Sequence, residues 1–463
     1  MSRIAFDAFS LGGPEAALLG HDVPGLRVRY VDATPEWIVG VADQLLAARE
    51  ALAAREVSEI VAVLGRVGGR FLDAGDPLRA EALALLPPTS GLSAQMAVAV
   101  LDGMAADWTG ERLMGLVRAE LGDETVLDGF VPDPAGRAVM ALGPALAVQI
   151  VAGSVPGVGV SALLRSLLVK APTLLKPGRA DCVLPVLFAR ALREADPTLA
   201  EAVAVVYWPG GAGALEDAAL SRASLVTAYG SDETVSDLRA RTPVTARFVA
   251  YHHRISVGIV GRDALTEDGV EAAAGEVARS VALFDQHGCV SPRLLFVEEG
   301  GDSSPAAFAE AVARQLGHLE ERLPGGALGA GQASALHQLR GTAELMAAAG
   351  EISVIHGGSA AWTVILAKDA GPPGDGCGRL LRVRAVADAG DVPALLAPFS
   401  DHLQTVGVAG LGERLADTAL ALGRLGASRV VPFRSVAFPP PWWHHDGGGP
   451  LRDLLRWVDL EEE

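Results

Sequence analysis

Cysteine, aromatic residues and charge are all scarce in this sequence. Three cysteines occur in 463 residues, aromatic residues make up 5% and charged residues 20%. Cys182, Cys289 and Cys377 are far apart and odd in number, so they indicate neither a disulfide framework nor a metal site. We therefore expect a reduced, cytoplasmic protein in which at most one cysteine has a chemical role.

Basic residues are also in deficit, with 38 Lys and Arg against 56 Asp and Glu, which gives a net charge of −18. A nucleic-acid-binding protein needs a basic surface, so this class is disfavoured. The acidic total does not exclude an anionic ligand. A local cation or a helix N-terminus can bind phosphate even on an acidic protein.

Hydrophobic residues are abundant at 50% of the chain, with a mean hydropathy of +0.31. Residues 138–164 carry no charge and are numerous enough to cross a bilayer. However, Gly143-Pro144, Gly153, Pro156 and Gly157 would interrupt a spanning helix, and Gln149 lies near the middle. We predict a buried strand, a turn and a helix start here, with no membrane span. The first 20 residues lack the pattern of a signal peptide.

The order of apolar segments predicts two α/β halves after a helical N-terminal region. Residues 35–121 have helical periodicity, and a short strand pair is expected at 126–127 and 130–131. Short apolar runs then alternate with helical segments, which is typical of parallel, doubly wound sheets. The predicted strands are 145–151, 173–175, 202–207, 225–228, 247–249 and 255–260, then 293–297, 352–355, 363–366, 381–386, 404–409 and 429–431.

Cys289 is the candidate nucleophile. It follows Gly288, which permits a tight turn, and it precedes a predicted strand. His287 is close enough in sequence to favour the thiolate, the reactive form of the side chain. A buried structural cysteine is the alternative that local chemistry leaves open. Cys182 has the pattern of a packing residue, and Cys377 lies in a Gly- and Pro-rich loop at 371–378.

Lys176 and Arg179 are candidate ligands for a phosphate. A short strand ends at Lys176-Pro177-Gly178, and ligands of doubly wound sheets bind at the carboxyl ends of strands. Arg179 adds a second cation, suited to the phosphate that distinguishes NADP from NAD. Two solvated basic residues at a strand end are the simpler alternative.

Two glycine-containing turns are candidate pyrophosphate sites. Gly211 and Gly230-Ser231 each stand between a predicted strand and a predicted helix, whose N-terminal N–H groups attract phosphate. The first turn lacks the third glycine of the dinucleotide motif, and Ser231 also fits a simple helix cap. The pairs His252-His253 and His444-His445 lack a third ligand at a usual spacing, so we expect no metal site.

Several motifs together resemble one family over nearly the whole chain. In chain order they are Val151-Ala-Gly-Ser-Val-Pro156, Leu174-Leu-Lys-Pro177, Ala228-Tyr-Gly-Ser-Asp-Glu-Thr234, Tyr251-His-His-Arg-Ile-Ser256, Asp285-Gln-His-Gly-Cys-Val-Ser-Pro292, Leu403-Gln-Thr-Val-Gly-Val408, and His445-Asp-Gly447 with Leu455-Arg-Trp-Val458. The set resembles the acyl-CoA reductase family, typified by the fatty-acid reductase subunit of bacterial bioluminescence. That family is a branch of the aldehyde dehydrogenase superfamily.

The resemblance implies an aldehyde-dehydrogenase-like α/β fold with two doubly wound parallel-sheet domains, a helical N-terminal region and a small oligomerisation arm. The implied boundaries are a cofactor-binding domain at 1–252 with an arm at about 122–142, a catalytic domain at 253–435, and a C-terminal segment at 436–463. The implied reaction is NADPH-dependent reduction of an acyl thioester, such as acyl-CoA, to the aldehyde. The implied partners are an acyl-transferase or synthetase and further copies of the chain.

The resemblance also implies residue roles. Cys289 would match the nucleophile, Lys176 the lysine that contacts the adenosine ribose or its phosphate, and Gly230-Ser231 the turn under the pyrophosphate. Arg179 stands where many NAD-using relatives have an acidic residue, which favours NADPH. His253 is a candidate proton donor.

Three departures from the family and superfamily patterns keep alternatives open. Ser154 replaces an asparagine whose amide helps to bind the oxyanion, and one such donor contributes about 10²–10³ in rate. The glutamate that activates water in oxidising relatives has no match near 251–256, which favours reduction. The segment that grips the nicotinamide ribose has no clear match near 381–386. A non-catalytic member that binds cofactor or acyl groups, or an oxidative aldehyde dehydrogenase, are the alternative functions.

Overall fold

The computed structural model describes residues 4–10, 17–134, 136–151, 153, 155–358, 361–368 and 378–461. Ser154 and Cys377, with nearly all of the predicted loop at 371–378, lie outside the described residues. The chain divides into two compact units. The first comprises residues 1–90, 101–252 and 440–463, and the second comprises residues 91–100 and 253–439.

The N-terminal segment forms strands that the sequence did not predict. They are β1 (Ile4–Asp7), β2 (Phe9–Ser10), β3 (Leu18–Val23) and β4 (Leu26–Val31), and three of them form a sheet in the order β1-β4-β3. The predicted helical region follows as α1 (Pro35–Ala47), α2 (Arg49–Ala53), α3 (Val57–Arg70), α4 (Pro77–Ser90), α5 (Ala94–Ala105) and α6 (Gly110–Leu121).

The helical periodicity of this region is seen in α3 as one buried face. In α3 the apolar positions Ile60, Leu64 and Val67 are at most 1% exposed. Pro87-Pro88, a pair that normally interrupts a helix, lies inside α4. The hydroxyls of the following Thr89 and Ser90 donate to carbonyls of the last turn, so this helix end is hydrogen-bonded despite the two missing N–H groups.

The predicted strand pair near residue 130 is wrong in its first half. Residues Glu124–Leu127 form a 3₁₀ turn, in which the Asp123 side chain accepts from the Thr125 N–H. The strands that pair here are β5 (Val131–Pro132) and β6 (Ala138–Leu142), which are antiparallel. A side-chain cap therefore overrides the β-propensity of Val126 and Leu127.

The first α/β half is a six-stranded sheet in the order β11-β10-β7-β8-β9-β2, and all neighbours are parallel except β9 and β2. This confirms the predicted alternation and its strands. The elements are β7 (Ala147–Val151), α7 (Val158–Leu168), β8 (Thr173–Lys176), α8 (Val183–Ala195), α9 (Pro197–Ala200), β9 (Val203–Val206), α10 (Gly213–Leu220), β10 (Leu225–Tyr229), α11 (Asp232–Arg241) and β11 (Arg247–Tyr251).

The second half is a seven-stranded sheet in the order β14-β15-β16-β13-β12-β17-β18, parallel except between β14 and β15. Its elements are β12 (Ile255–Val260), α12 (Val270–Ala282), β13 (Pro292–Glu298), α13 (Pro305–Arg322), α14 (Ala330–Ala348), β14 (Ile352–His356), β15 (Thr363–Ala367), β16 (Leu380–Val386), α15 (Val392–Leu396), β17 (Leu403–Ala409), α16 (Leu415–Leu425) and β18 (Arg429–Pro432). Each half has its own apolar core.

The C-terminal segment ends in β19 (Arg456–Leu460), which pairs antiparallel with β6. Among the described helices, none by itself is long and apolar enough to cross a membrane; α4 and the helical stretch Ala94–Trp108 reach the required length and composition only as a bent pair.

Candidate active site

Cys289 lies on a hydrogen-bonded turn between α12 and β13 in the second unit. The residue is solvent-exposed, whereas its neighbours Gly288 and Val290 are buried. The Ser291 N–H donates to the Gly288 carbonyl at 3.0 Å, and the Ser256 hydroxyl donates to the Cys289 carbonyl at 2.6 Å. The backbone is therefore fixed while the residue stays accessible, as a nucleophile requires.

The three residues at the start of this loop have an unusual backbone. Phe284, Asp285 and Gln286 have φ of 60°, 48° and 63° in the 3₁₀ turn Leu283–Gln286. Left-handed conformations cost residues with a Cβ about 1–2 kcal/mol each and seldom occur consecutively. These positive φ values could not be predicted from the sequence, because none of the three residues is glycine.

The histidines near the cysteine differ in environment. His287 is partly buried, and burial is the main reason that its pKa falls below the ordinary value of 6.5, with Asp285 acting in the opposite direction. It is therefore mainly neutral near pH 7 and suits proton acceptance better than electrostatic stabilisation of a thiolate. His253 lies with its ring centroid 5.8 Å from that of His402, whose Nδ1 is 3.1 Å from the His253 carbonyl oxygen.

Lys176 is the last residue of β8 and is only 7% exposed. Burial lowers the pKa of its ammonium group, and the charge of Glu216 partly offsets this. Glu216 itself pairs with Arg241 at 2.9 Å. Among the described residues, no hydrogen bond or ion pair engages the Lys176 ammonium, so it is a buried cation suited to an anionic ligand.

Arg179 is exposed and lies near an aromatic cluster that the sequence did not reveal. His21, Tyr30 and Tyr207 form the cluster, with ring centroids 5.3–6.1 Å apart. The pKa of His21 is lowered, first by burial and then by the charge of Arg179. Over the part of the chain that the structure describes, Arg179 forms no ion pair.

The turn before α7 is held by a residue that the sequence analysis missed. Asp181 is fully buried and accepts from the N–H groups of Gly157 and Gly159 at 2.7 and 2.6 Å. Burial raises the pKa of this carboxyl group to about 7. A Cβ on Gly178 would stand 2.4 Å from the Gly153 nitrogen, so only glycine fits this close backbone approach.

The two predicted glycine turns are present, with different features. Gly211 has φ of +82° and lies in a turn where a Cβ would meet no atom within 4 Å. Gly230 donates its N–H to the Tyr251 carbonyl at 3.1 Å. Ser231 caps α11 by accepting from the Thr234 N–H, which supports the capping interpretation. The first turn of α11 also carries exposed acidic residues, which disfavour a phosphate there.

Two further predicted groups have packing roles. Cys182 is 1% exposed, and burial raises the pKa of its thiol to about 12, so it is unreactive. In the C-terminal segment, His445 stacks on Tyr251 at 4.2 Å and on Trp443 at 4.6 Å, and Arg112 lies 4.3 Å from the Trp442 ring centroid.

Each unit thus has a distinct chemical capability. Among the described residues, the second presents one accessible thiol, that of Cys289, on a turn fixed by hydrogen bonds. The first presents two cations without ion pairs among the described residues, together with a glycine turn of positive φ, all at the carboxyl edge of a parallel sheet. Cations and a close backbone approach are features that bind the phosphates of an anionic dinucleotide, so these residues are candidates to hold one.

These features define an aldehyde-dehydrogenase-like α/β protein, as solved structures confirm. The NAD-dependent aldehyde dehydrogenase of Sinorhizobium meliloti aligns with a TM-score of 0.76 over 99% of this chain and 94% of that chain, at 16% identity. Aldehyde dehydrogenase 21 of Physcomitrella patens also gives 0.76, over 99% and 98%, at 15% identity.

The family model described as Acyl-CoA reductase (LuxC) matches residues 52–457, so the chain belongs to that family. Among curated relatives, long-chain acyl-protein thioester reductase 2 of Photobacterium leiognathi is 28% identical over 218 residues, which are 46% of this chain and 44% of that protein. The Aliivibrio fischeri long-chain acyl-protein thioester reductase is 28% identical over 221 residues, with the same coverage. The matched segment spans under half of each relative.

Proposed function

We propose that this chain reduces a fatty acyl thioester, such as an acyl-CoA, to the aldehyde, with NADPH as the reductant. The observation that carries the proposal is the position of Cys289: an exposed cysteine on a fixed turn, in a member of the acyl-CoA reductase family. An exposed thiol needs no unfolding to meet a substrate, whereas the buried Cys182 does.

In the first step the Cys289 thiolate attacks the acyl carbonyl carbon. A bond forms from Sγ to that carbon, the bond to the departing thiol sulfur breaks, and the departing thiolate takes up a proton. The neutral form of His287 is suited to accept the proton that Cys289 loses. His253 and Ser154 keep their predicted roles, as proton donor and oxyanion ligand, on the basis of the sequence.

NADPH, when bound, supplies the hydride that converts the acyl group to an aldehyde, and Cys289 then leaves as thiolate. Lys176 would hold the adenosine ribose or its phosphate, Arg179 the 2′-phosphate, and the turn at Gly211 would lie near the pyrophosphate. Gly230-Ser231 keeps its predicted place under the pyrophosphate on the basis of the sequence alone, because the acidic first turn of α11 opposes it. On this proposal the first unit binds the cofactor and the second carries the nucleophile. The chain forms a homo-oligomer. It takes its acyl group from an acyl-transferase or synthetase.

Labelled acyl thioester tests the nucleophile directly. Wild-type protein incubated with labelled fatty acyl-CoAs of several lengths, without NADPH, should form a hydroxylamine-sensitive adduct that peptide mapping places at Cys289. Cys289→Ala should abolish the adduct and NADPH oxidation. Cys182→Ala, a substitution of the buried cysteine, is the matched control and should retain both.

An adduct that persists in Cys289→Ala would overturn the mechanism. NADPH binding without oxidation, across both acyl-CoAs and acyl-protein thioesters, would instead indicate the non-catalytic function. NADP⁺ reduction with aldehydes but no thioester reduction would indicate the oxidative one.

A further inference from the structure

The strained backbone before Cys289 has a counterpart in another segment of the second unit. Arg379, like Phe284, Asp285 and Gln286, has positive φ, at 53°. Such conformations persist only where surrounding contacts impose them. The two segments with positive φ are hydrogen-bonded to each other.

Arg379 and Asp285 form a buried ion pair, with side chains 1% and 7% exposed. Arg379 Nε and Nη2 donate to Asp285 Oδ1 at 2.9 and 2.7 Å, and Asp285 Oδ2 accepts from the Gly326 N–H at 3.0 Å. Arg379 also donates to Glu320 and to the Leu323 carbonyl, both at 2.8 Å. The guanidinium thus joins the loop to the segment after α13.

Gln286 and Leu380, the residues that follow Asp285 and Arg379, are also hydrogen-bonded to each other. Gln286 is fully buried, and its Nε2 donates to the Leu380 carbonyl at 2.7 Å, while the Leu380 N–H donates to Gln286 Oε1 at 2.9 Å. Gln286 Nε2 also donates to the Pro292 carbonyl at 2.8 Å, at the far end of the Cys289 loop. Two consecutive residues, Asp285 and Gln286, therefore bind two consecutive residues, Arg379 and Leu380, at the start of β16.

We propose that the Arg379–Asp285 pair is a positioning device for the nucleophile: it holds residues 284–286 in the left-handed conformation and so fixes where Cys289 stands. The inference rests on the proposed function of Cys289. Neither Arg379 nor Asp285 takes part in bond making.

The physical reason is that the Arg379–Asp285 ion pair offsets the conformational cost of positive φ at residues 284–286. Without the guanidinium, Asp285 is a buried carboxylate without its ion-pair partner, and residues 284–286 relax towards the right-handed region that they otherwise prefer. The turn then carries Cys289 elsewhere. A displacement of about 1 Å at a reacting group costs roughly 100-fold in rate.

The test compares Arg379→Met with Arg340→Met. Arg340 is also buried in the second unit, and it donates to Thr363 Oγ1 and to the Trp362 carbonyl. It is a stringent control because the Thr363 N–H donates to the Arg379 carbonyl, so both arginines contact the same segment. In Arg379→Met we expect about a 100-fold lower rate of Cys289 acylation, with KM for the thioester little changed. Amide hydrogen exchange should rise in peptides that cover residues 284–291. Arg340→Met should change neither.

Exchange and acylation that change equally in the two variants would overturn the positioning role. Arg379→Ala with millimolar guanidinium supplies a second readout, since the free cation should restore part of the acylation rate. If Arg379→Met does not fold, Arg379→Lys and Asp285→Asn replace it, and unchanged acylation and exchange in both would refute the inference. Failure of the proposed function is distinguishable: wild-type Cys289 would then not be acylated, while the exchange difference between the Arg379 and Arg340 variants would persist.

Discussion

Two buried aspartates hold the loop that carries Cys289 and the turn before α7, and they differ in their hydrogen-bond partners. Asp285, in the Cys289 loop, binds the guanidinium of Arg379 and one backbone N–H. Asp181, at the carboxyl edge of the six-stranded sheet, accepts only from the N–H groups of Gly157 and Gly159 among the described residues. The same contrast holds for cations, because Lys170 pairs with Asp128 whereas Lys176 has no described partner.

This difference in partners distinguishes buried charges that stabilise the fold from buried charges that are suited to bind a ligand. A buried charge that is paired inside the chain is an element of the fold, and removal of one partner is costly. A buried charge without a counter-ion either titrates or awaits a ligand. The Cys289 loop is closed by internal pairs, as covalent chemistry at a fixed atom requires. On the proposed function, the β8 edge, defined by residues 176–181, offers an anion the cations of Lys176 and Arg179, which form no ion pair among the described residues.

The largest expected effect is a pH dependence of stability due to Asp181. Its pKa is about 7 when folded, against an ordinary value of 3.8, because of burial. Between pH 4 and pH 7 the folded protein therefore holds a proton that the unfolded chain has released. The free energy of unfolding should therefore fall as pH rises through this range, by on the order of 4 kcal/mol for about 3 pH units. Above about pH 7 it should level off.

Asp181→Asn removes this titration. The stability of the variant relative to wild type, measured by urea unfolding from pH 4 to pH 8, should increase across the same range. Asp302→Asn, at an exposed site, is the control and should run parallel to wild type. Parallel curves for Asp181→Asn would show that the carboxylate has a compensating cation, which would remove the contrast with Asp285.

A second prediction compares the two lysines that flank β8. Lys170 binds Asp128 at 2.6 Å and is 9% exposed, nearly as buried as Lys176. Lys170→Met should lower the free energy of unfolding by about 1–3 kcal/mol and leave NADPH affinity unchanged. Lys176→Met should leave stability unchanged or slightly higher, and weaken NADPH binding about 10- to 100-fold.

Urea unfolding and a fluorescence titration with NADPH measure both quantities for both variants. If Lys176→Met destabilises the protein as much as Lys170→Met and binds NADPH normally, then Lys176 is a structural residue. That result would assign the β8 edge to the fold and not to a ligand.

The sequence predicted the elements of both sheets because each strand is a short apolar run bounded by turn residues, and each helix has one apolar face. It missed β1, β2, β3 and β4. The first two are short and β3 does not alternate, whereas β4 alternates over Leu26-Arg27-Val28-Arg29, a strand signal that the sequence analysis overlooked. Val126 and Leu127 were misassigned because the Asp123 cap, a local hydrogen bond, decides the conformation there.

For the site, residue type, strand position and the family resemblance together singled out Cys289, Lys176 and Arg179, whose roles stay predictions. Asp181 could have been noticed, since it closely follows the lysine motif at a helix start. Arg379 could not, because its partner Asp285 is 94 residues away in sequence and only the folding of the second sheet brings them together. Long-range ion pairs leave no periodic signal.

The smallest predicted effect concerns cofactor choice at the exposed end of the β8 edge. Arg179 is solvent-accessible, so its contribution is screened, and Arg179→Glu should weaken NADPH binding about tenfold while NADH binding changes little. Arg193→Glu makes the same charge change at an exposed position of α8 and is the matched control.

Titrations with NADPH and NADH at low and high salt measure the effect. Equal losses of affinity for the two cofactors, or an equal effect of Arg193→Glu, would show a general electrostatic effect and not a 2′-phosphate contact. A loss confined to NADPH that shrinks with salt would mean that Arg179, which forms no ion pair among the described residues, contacts the ligand, whereas the paired guanidinium of Arg379 stabilises the fold.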